Sequence, residues 1–327
     1  MKRLLFMSVF NMKKFFYQLV IFIILVIIGQ TIVARYITPY YPERLLLDKY
    51  SRDKTRIIYF GDSVIKYAGP DDKDKSTIAE MLSRINPTTT IGDISHGGYY
   101  LKIDEEVFKY ILKSPNKPEA IILPINLHSF SPGVKGPGYQ FEKEIFYLRM
   151  PRLVTYFYKP LAIFKAININ TVKYSDYSQL PVYYGKEKIG VAGDFDNPYV
   201  YSSDTESVRK LYVFTFMQDI DKSHEQLKSL NNIIDLANKS DIKSYVYLTP
   251  INFDEGVKYV GLDFIKQTTA NAEVVCSVLK EKNIPCLNLA FSLDSGYFAS
   301  PIYPNEHVNE KGRKFIAEQI TKFFLNK

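Results

Sequence analysis

The sequence predicts an α/β fold: a three-layer, doubly wound parallel sheet of flavodoxin-like type, behind an N-terminal transmembrane helix and interrupted by an inserted aromatic cap. Three observations predict it. Short apolar, β-prone runs alternate five times with amphipathic runs, the pattern of βα units with helices on both faces of a parallel sheet. Four strand ends carry small, polar or turn residues: Gly61-Asp62-Ser63, Ser95-His96-Gly97-Gly98, Asn126 with His128, and Asn252. In a doubly wound sheet such ends share one edge, where ligands bind. Residues 15–34 carry no charge at all.

That uncharged run, FFYQLVIFIILVIIGQTIVA, has 20 residues, enough for a helix to cross about 30 Å of hydrocarbon. Lys2, Arg3, Lys13 and Lys14 precede it with no acid among them. The positive-inside rule then puts residues 1–14 in the cytoplasm and the main domain outside, as a single-pass protein of the cell membrane. A cleaved signal peptide is the competing reading. Ile32 and Ala34 make a poor cleavage site and the run is long for such a segment, so an uncleaved anchor is expected. The membrane bilayer is thus an expected partner.

Residues 35–54 read as a connector rich in Pro and Tyr, and 55–327 as one domain. Within it, 56–60 is a short buried strand broken by Gly61. Helix is expected over 76–85, strand over 88–94, helix over 101–112 and strand over 120–123. From 131 to 205 the alternation stops in favour of Tyr, Phe, Gly and Pro. That stretch is too long for a plain connection and too aromatic for a disordered one, hence the cap. Helix 223–237, strand 243–248, helix 263–280, strand 285–289 and helix 309–325 follow. Asn309 is placed to cap the last, and Phe315, Ile316, Ile320, Phe323 and Phe324 form its apolar stripe.

The chain has 327 residues, is 46% hydrophobic and carries a net charge of +7, of which the first 14 residues supply +4. The rest shows no basic patch, so nucleic acid is not an expected partner. Cys276 and Cys286 are spaced for neither a zinc pair nor a redox Cys-x-x-Cys. A disulfide and two buried thiols both fit. The four histidines have no zinc-like spacing, and neither metal nor cofactor is expected.

Ser63 follows the first strand where a helix begins, so backbone N–H groups there can meet negative charge. Standing alone, Gly-Asp-Ser is better explained as ordinary capping. The late block Tyr303-Pro304-Asn305-Glu306-His307-Val308-Asn309-Glu310-Lys311-Gly312 changes that balance. Over roughly 55–130 and 240–327 the chain resembles the SGNH (GDSL-like) hydrolase superfamily. The resemblance rests on Gly61-Asp62-Ser63, on the turn after the second strand, on Asn126 after the third, and on His307-Val308-Asn309 with Gly312. It implies Ser63 as nucleophile and His307 as its base. The oxyanion hole it implies comprises the Ser63 N–H, an N–H of the Ser95–Gly98 turn (Ser95 or Gly98) and the Asn126 side chain. Two departures stand out. The family's aspartate three residues before the histidine is Pro304, leaving Asn305 or Glu306 to orient His307 unless a backbone carbonyl does so. The family's glycine in the second block aligns with Ser95. Asp62, His96 and His128 are candidate pocket residues, the two histidines more readily explained as local hydrogen-bond partners.

The function expected from this resemblance is a membrane-anchored, extracytoplasmic SGNH-type esterase or O-acyltransferase. Its substrate would be acyl esters, acetyl first among them, of a cell-surface polysaccharide, and a membrane-bound O-acyltransferase is a candidate partner. A catalytically inactive SGNH scaffold that binds glycan within a membrane complex is one alternative. A lysophospholipase or lipase-like esterase is another.

Overall fold

The computed structural model describes residues 2–32, 42–131, 141–150, 181–184, 187–190, 205–299 and 306–325. The chain divides into two compact units, residues 1–45 with 142–170, and residues 46–141 with 171–327.

In the first unit the helix Lys2–Ile32 contains a segment, Met12–Gly29, with mean hydropathy 2.0 and every residue exposed. It is one helix long and apolar enough to cross a membrane. A second helix, Glu142–Arg149, receives Arg44, whose Nη1 donates to the Tyr147 carbonyl at 2.7 Å.

The second unit is built on strands β1 (Ile57–Tyr59), β2 (Ile91–Asp93), β3 (Ala120–Ile125), β4 (Pro181–Tyr184), β5 (Glu187–Gly190), β6 (Lys243–Leu248) and β7 (Cys286–Asn288). Strands β4 and β5 form a separate antiparallel hairpin inside the expected cap. The other five make one parallel sheet in the order β2-β1-β3-β6-β7, the flavodoxin-like doubly wound order. Strand β3 sits at its centre, in register with Ile57 through Ala120 and with Leu248 through Ile125. All six of its residues are buried, as a strand covered on both faces must be.

Successive strand residues point to opposite faces. On one, Ile57, Tyr59, Ala120, Ile122 and Tyr247 meet Ile78, Met81 and Leu82 of the helix Ile78–Ile85 and Ile316, Ala317 and Ile320 of the helix Glu310–Ile320. The Tyr59 and Tyr247 hydroxyls satisfy each other at 2.6 Å within this apolar layer. On the other, Ile58, Phe60, Ile121, Leu123, Val246 and Leu248 are buried. Helices Leu101–Ile111, Glu225–Asn238 and Leu262–Glu281 cover that face, with Phe60 edge-on to Phe108 at 6.3 Å between ring centres.

Local chemistry sets the ends. Thr77 and Glu80 form a reciprocal capping box, and Asn309 accepts from the N–H groups of Lys311 and Gly312. Cys276 and Cys286 form a disulfide between the helix Leu262–Glu281 and β7. Four helices lie where none was expected, Glu142–Arg149 of the first unit being one. Pro42–Arg52 occupies the connector, opened by a proline at the one position where its missing N–H costs nothing. Thr205–Phe216 follows at the end of the cap, and Phe253–Val260 is capped by Asn252. The last turn, Thr321–Leu325, widens to a π-type helix. Most of the expected cap lies outside the described residues.

Candidate active site

The carboxyl edge of the sheet collects the turn residues. After β1, Gly61 has φ +152°, and a Cβ on it would stand 2.5 Å from Ile65 Cγ1. Only glycine fits so abrupt a turn. Asp62 caps the one-turn helix Ser63–Lys66, its Oδ1 accepting from the Val64 N–H at 2.9 Å. Ser63 is thereby the first helical residue, half-buried at the sheet edge.

After β2 the chain makes a tight turn over His96–Tyr99, closed by the Tyr99 N–H on the His96 carbonyl at 3.1 Å, with Gly98 at φ +81°. The His96 N–H donates to the Gly61 carbonyl at 3.0 Å, tying this turn to the serine turn. The Ser95 N–H donates to Asp93 Oδ1 at 2.8 Å, and its hydroxyl donates there too. Ser95 is therefore no open donor, which corrects its expected place in an oxyanion hole. Among the described residues no acceptor meets the N–H of Ser63, Gly97 or Gly98. His96 turns its Nδ1 to the Gly97 carbonyl at 2.9 Å and lays its ring 4.7 Å from that of Tyr99. It serves this turn.

After β3, Asn126 is 6% exposed. Its Nδ2 donates to Asp62 Oδ2 at 2.6 Å. An amide nitrogen has two hydrogens, so one remains to be offered elsewhere. Two residues on, His128 joins its Nδ1 to Glu306 Oε2, and its Nε2 lies 3.9 Å from Asp62 Oδ2. Glu306 is fully buried and also accepts the Leu127 N–H at 2.9 Å through Oε1. Both its oxygens are so engaged with the turn after β3. The expectation that Glu306 orients the His307 ring is thus corrected: its partner is His128. Asn305, the other candidate, lies outside the described residues, as does Pro304.

His307 is positioned through its backbone. Its carbonyl accepts the Ala299 N–H at 2.9 Å, and Val308 bridges to Phe298 and is wholly buried. Among the described residues no hydrogen bond joins His307 to Ser63.

The site is strongly polarised. Burial pushes the Asp62 carboxyl up to about 6 against the opposing pull of the His128 charge, the Val64 N–H and the Asn126 amide. Burial acts to lower His128, but the Glu306 carboxylate, with Asp62 behind it, outweighs this and raises the ring to about 9. Burial and the neighbouring His128 charge together push His307 down to about 4. At neutral pH the edge holds one imidazolium, His128, and one neutral imidazole, His307.

Sequence reasoning missed Asp104. It is 5% exposed, its Oδ1 meets no partner among the described residues, and burial with the nearby Asp62 charge raises its carboxyl well above the usual range. With Asp62, Tyr100 and Asn126 it lines a cavity of about 20 Å³, room for about one water molecule. Asn126 Oδ1 and the Tyr100 hydroxyl are also buried with no partner among the described residues. The signal was present: Leu101, Asp104, Phe108 and Ile111 share one helical face, and an acid on it sits at a core position. No local signal could reveal the His128–Glu306 pair, whose members are 178 positions apart. Among the described residues no group of three His, Cys, Asp or Glu side chains is placed to hold a metal ion.

No protein-family model matches the chain, and no curated protein matches it in sequence. Solved structures do overlay on it. A lipase/acylhydrolase from Enterococcus faecalis is 9% identical at a TM-score of 0.40, over 82% of this chain and 94% of that one. A carbohydrate acetylesterase family member from Sinorhizobium meliloti is 8% identical at 0.36, over 82% and 96%. The native M. smegmatis aryl esterase is 10% identical at 0.32, over 83% and 100%. These are likenesses of chain course at low scores, and the reading below rests on the residues themselves.

Proposed function

We propose that the protein is an SGNH-type acyl-ester hydrolase or O-acyltransferase held at the outer face of a cell membrane by the uncharged segment 15–34, most of which lies in the helix Lys2–Ile32. Ser63 Oγ attacks the ester carbonyl carbon and His307 accepts its proton. The tetrahedral oxyanion is met by the Ser63 N–H, the N–H groups of Gly97 and Gly98, and the second hydrogen of the Asn126 amide. On collapse the alcohol leaves, taking the proton from His307, and an acyl-serine remains. Water then gives hydrolysis and a sugar hydroxyl gives transfer. Because burial and the His128 charge favour the neutral His307 ring, the base form is available at neutral pH without prior deprotonation.

The observation that carries this reading is the cluster of open donors around Ser63: N–H groups without acceptors on two turns stapled together by the His96–Gly61 bond, and an asparagine amide locked by Asp62. The disulfide supports an oxidising compartment, and the exposed apolar helix supports a membrane anchor. The carbohydrate acceptor is inferred from that location alone.

The test is turnover of 4-nitrophenyl acetate by the full chain in detergent micelles, with and without neutral oligosaccharides. Nitrophenolate release abolished in Ser63→Ala supports the reading, and acetylated sugar among the products selects transfer over hydrolysis. A folded wild-type chain that releases nothing above the Ser63→Ala background contradicts it.

A further inference from the structure

We infer that Glu306 and His128 are a positioning pair that sets the proposed base, His307, in register with the proposed oxyanion donor, Asn126. The inference rests on the Ser63–His307 reading above and adds residues that reading does not use.

The connectivity carries it. Glu306 immediately precedes His307, and Asn126 immediately precedes Leu127. The buried Glu306 side chain spans between the two segments, one oxygen on the Leu127 N–H and the other on the His128 ring. Two groups required on opposite sides of a reacting carbonyl are thus clamped through adjacent residues. The ring closes a second way: His128 Nε2 faces Asp62 Oδ2, and the same Asp62 oxygen holds the Asn126 amide. A shift of Glu306 would move His307 directly and Asn126 through both Leu127 and Asp62. Displacements of about 1 Å at such a constellation cost on the order of 100-fold in rate. The pair is also buried more completely than a surface ion pair. Glu306 is fully enclosed and the His128 side chain is 28% exposed, so neither solvent nor salt screens it strongly.

The pair carries an electrostatic consequence that a neutral bridge would not. The titratable groups coupled to it are Asp62, His307 and Tyr247, with Asp104 coupled in turn to Asp62. An imidazolium at His128 adds to burial in keeping the His307 ring neutral. Without Glu306 only Asp62 still favours the charged His128, so its charge weakens and the His307 midpoint is expected to rise.

The experiment is histidine-selective 15N NMR of the full chain in detergent micelles over pH 4–9. It is run beside the rate of fluorophosphonate labelling at Ser63, for wild type, Glu306→Gln and His128→Asn. Glu306→Gln keeps an acceptor for the Leu127 N–H and removes the charge. His128→Asn serves as the second variant should the first fail to fold. In the wild type His128 stays an imidazolium through pH 8. In both variants the His307 midpoint rises by about one unit, and labelling at pH 7 slows at least 10-fold while thermal unfolding stays cooperative. A neutral His128 in the wild type at pH 7 overturns the inference. So does an unchanged His307 midpoint and labelling rate in Glu306→Gln. Should the NMR behave as expected but wild type never label, the Ser63–His307 reading has failed, and the pair is then a structural bridge and no positioning device.

Discussion

Asn126 Nδ2 donates to Asp62 Oδ2 at 2.6 Å, linking the turn after β3 to the turn that presents Ser63. One carboxylate thereby caps the serine helix through Oδ1 and aims the asparagine amide through Oδ2. Asn126→Ala removes a proposed oxyanion donor and is expected to lower kcat by about 10²–10³ with little change in KM. Asp62→Ala loses both bonds. It should match that rate loss within about tenfold and cost about 1–2 kcal/mol of stability besides. Steady-state kinetics with thermal melts check both. An Asn126→Ala enzyme of undiminished kcat would remove Asn126 from the site.

The pH dependence follows from the two groups that titrate on the acid side. Protonation of Asp62 near pH 6 removes the charge that strengthens the bond aiming Asn126, and protonation of His307 near pH 4 removes the base. Activity is therefore expected to fall in two stages below neutrality, partly near 6 and completely near 4. A lone unperturbed histidine would give one midpoint near about 6.5. The kcat/KM profile over pH 4–8, with Asp62→Asn as a control lacking the first stage, measures this.

Asp104 is a buried acid whose protonated form is favoured by burial and by the nearby Asp62 charge. Its folded-state pKa is raised above the ordinary value, so its contribution to stability is fully present only below about pH 4 and is lost as pH rises. Asp104→Asn, which is isosteric and never charged, is expected to melt several degrees above wild type at pH 8. The two should converge near pH 4. A wild type that is the more stable at pH 8 would show that Asp104 is ionised and partnered.

Gly61 is the steric fulcrum of the turn. Gly61→Ala places a methyl 2.5 Å from Ile65 Cγ1 at a backbone angle of +152°. Strain and overpacking together are expected to cost about 2–4 kcal/mol, and Ser63 is displaced with them. Chemical denaturation reads the first and loss of esterase activity the second.

Much of the fold was legible because the βα alternation writes its period plainly, and β3 with its six buried residues is the clearest case. The turn residues were legible for the same reason: once the strands are placed, their ends share an edge. The helix Pro42–Arg52 was hidden by the Pro and Tyr content of its surroundings. Its role shows only in tertiary contacts, such as the Tyr50 hydroxyl on the Asp93 carbonyl at 2.8 Å. Within the site, Ser63 and Asn126 were singled out by the resemblance that the late His307 block completes, since their own turns read as ordinary capping. Ser95 misled, because alignment by position cannot reveal that Asp93, two residues back, already takes its N–H. Glu306 misled because nearness in sequence to His307 suggested a partner, whereas the buried carboxylate reaches across the cleft to His128. Pairings of that kind are decided by burial, where an unpaired charge is intolerable, and burial is a property of the folded chain.

The measurement that tests the central claim most directly is intact-mass and peptide-level mapping of a fluorophosphonate adduct on the full chain, with Ser63→Ala and His307→Ala alongside. The account predicts one adduct per chain, on Ser63, absent from Ser63→Ala and slowed by at least about 10³ in His307→Ala. A folded wild-type chain that takes up no probe, or one labelled equally in the absence of His307, would contradict it.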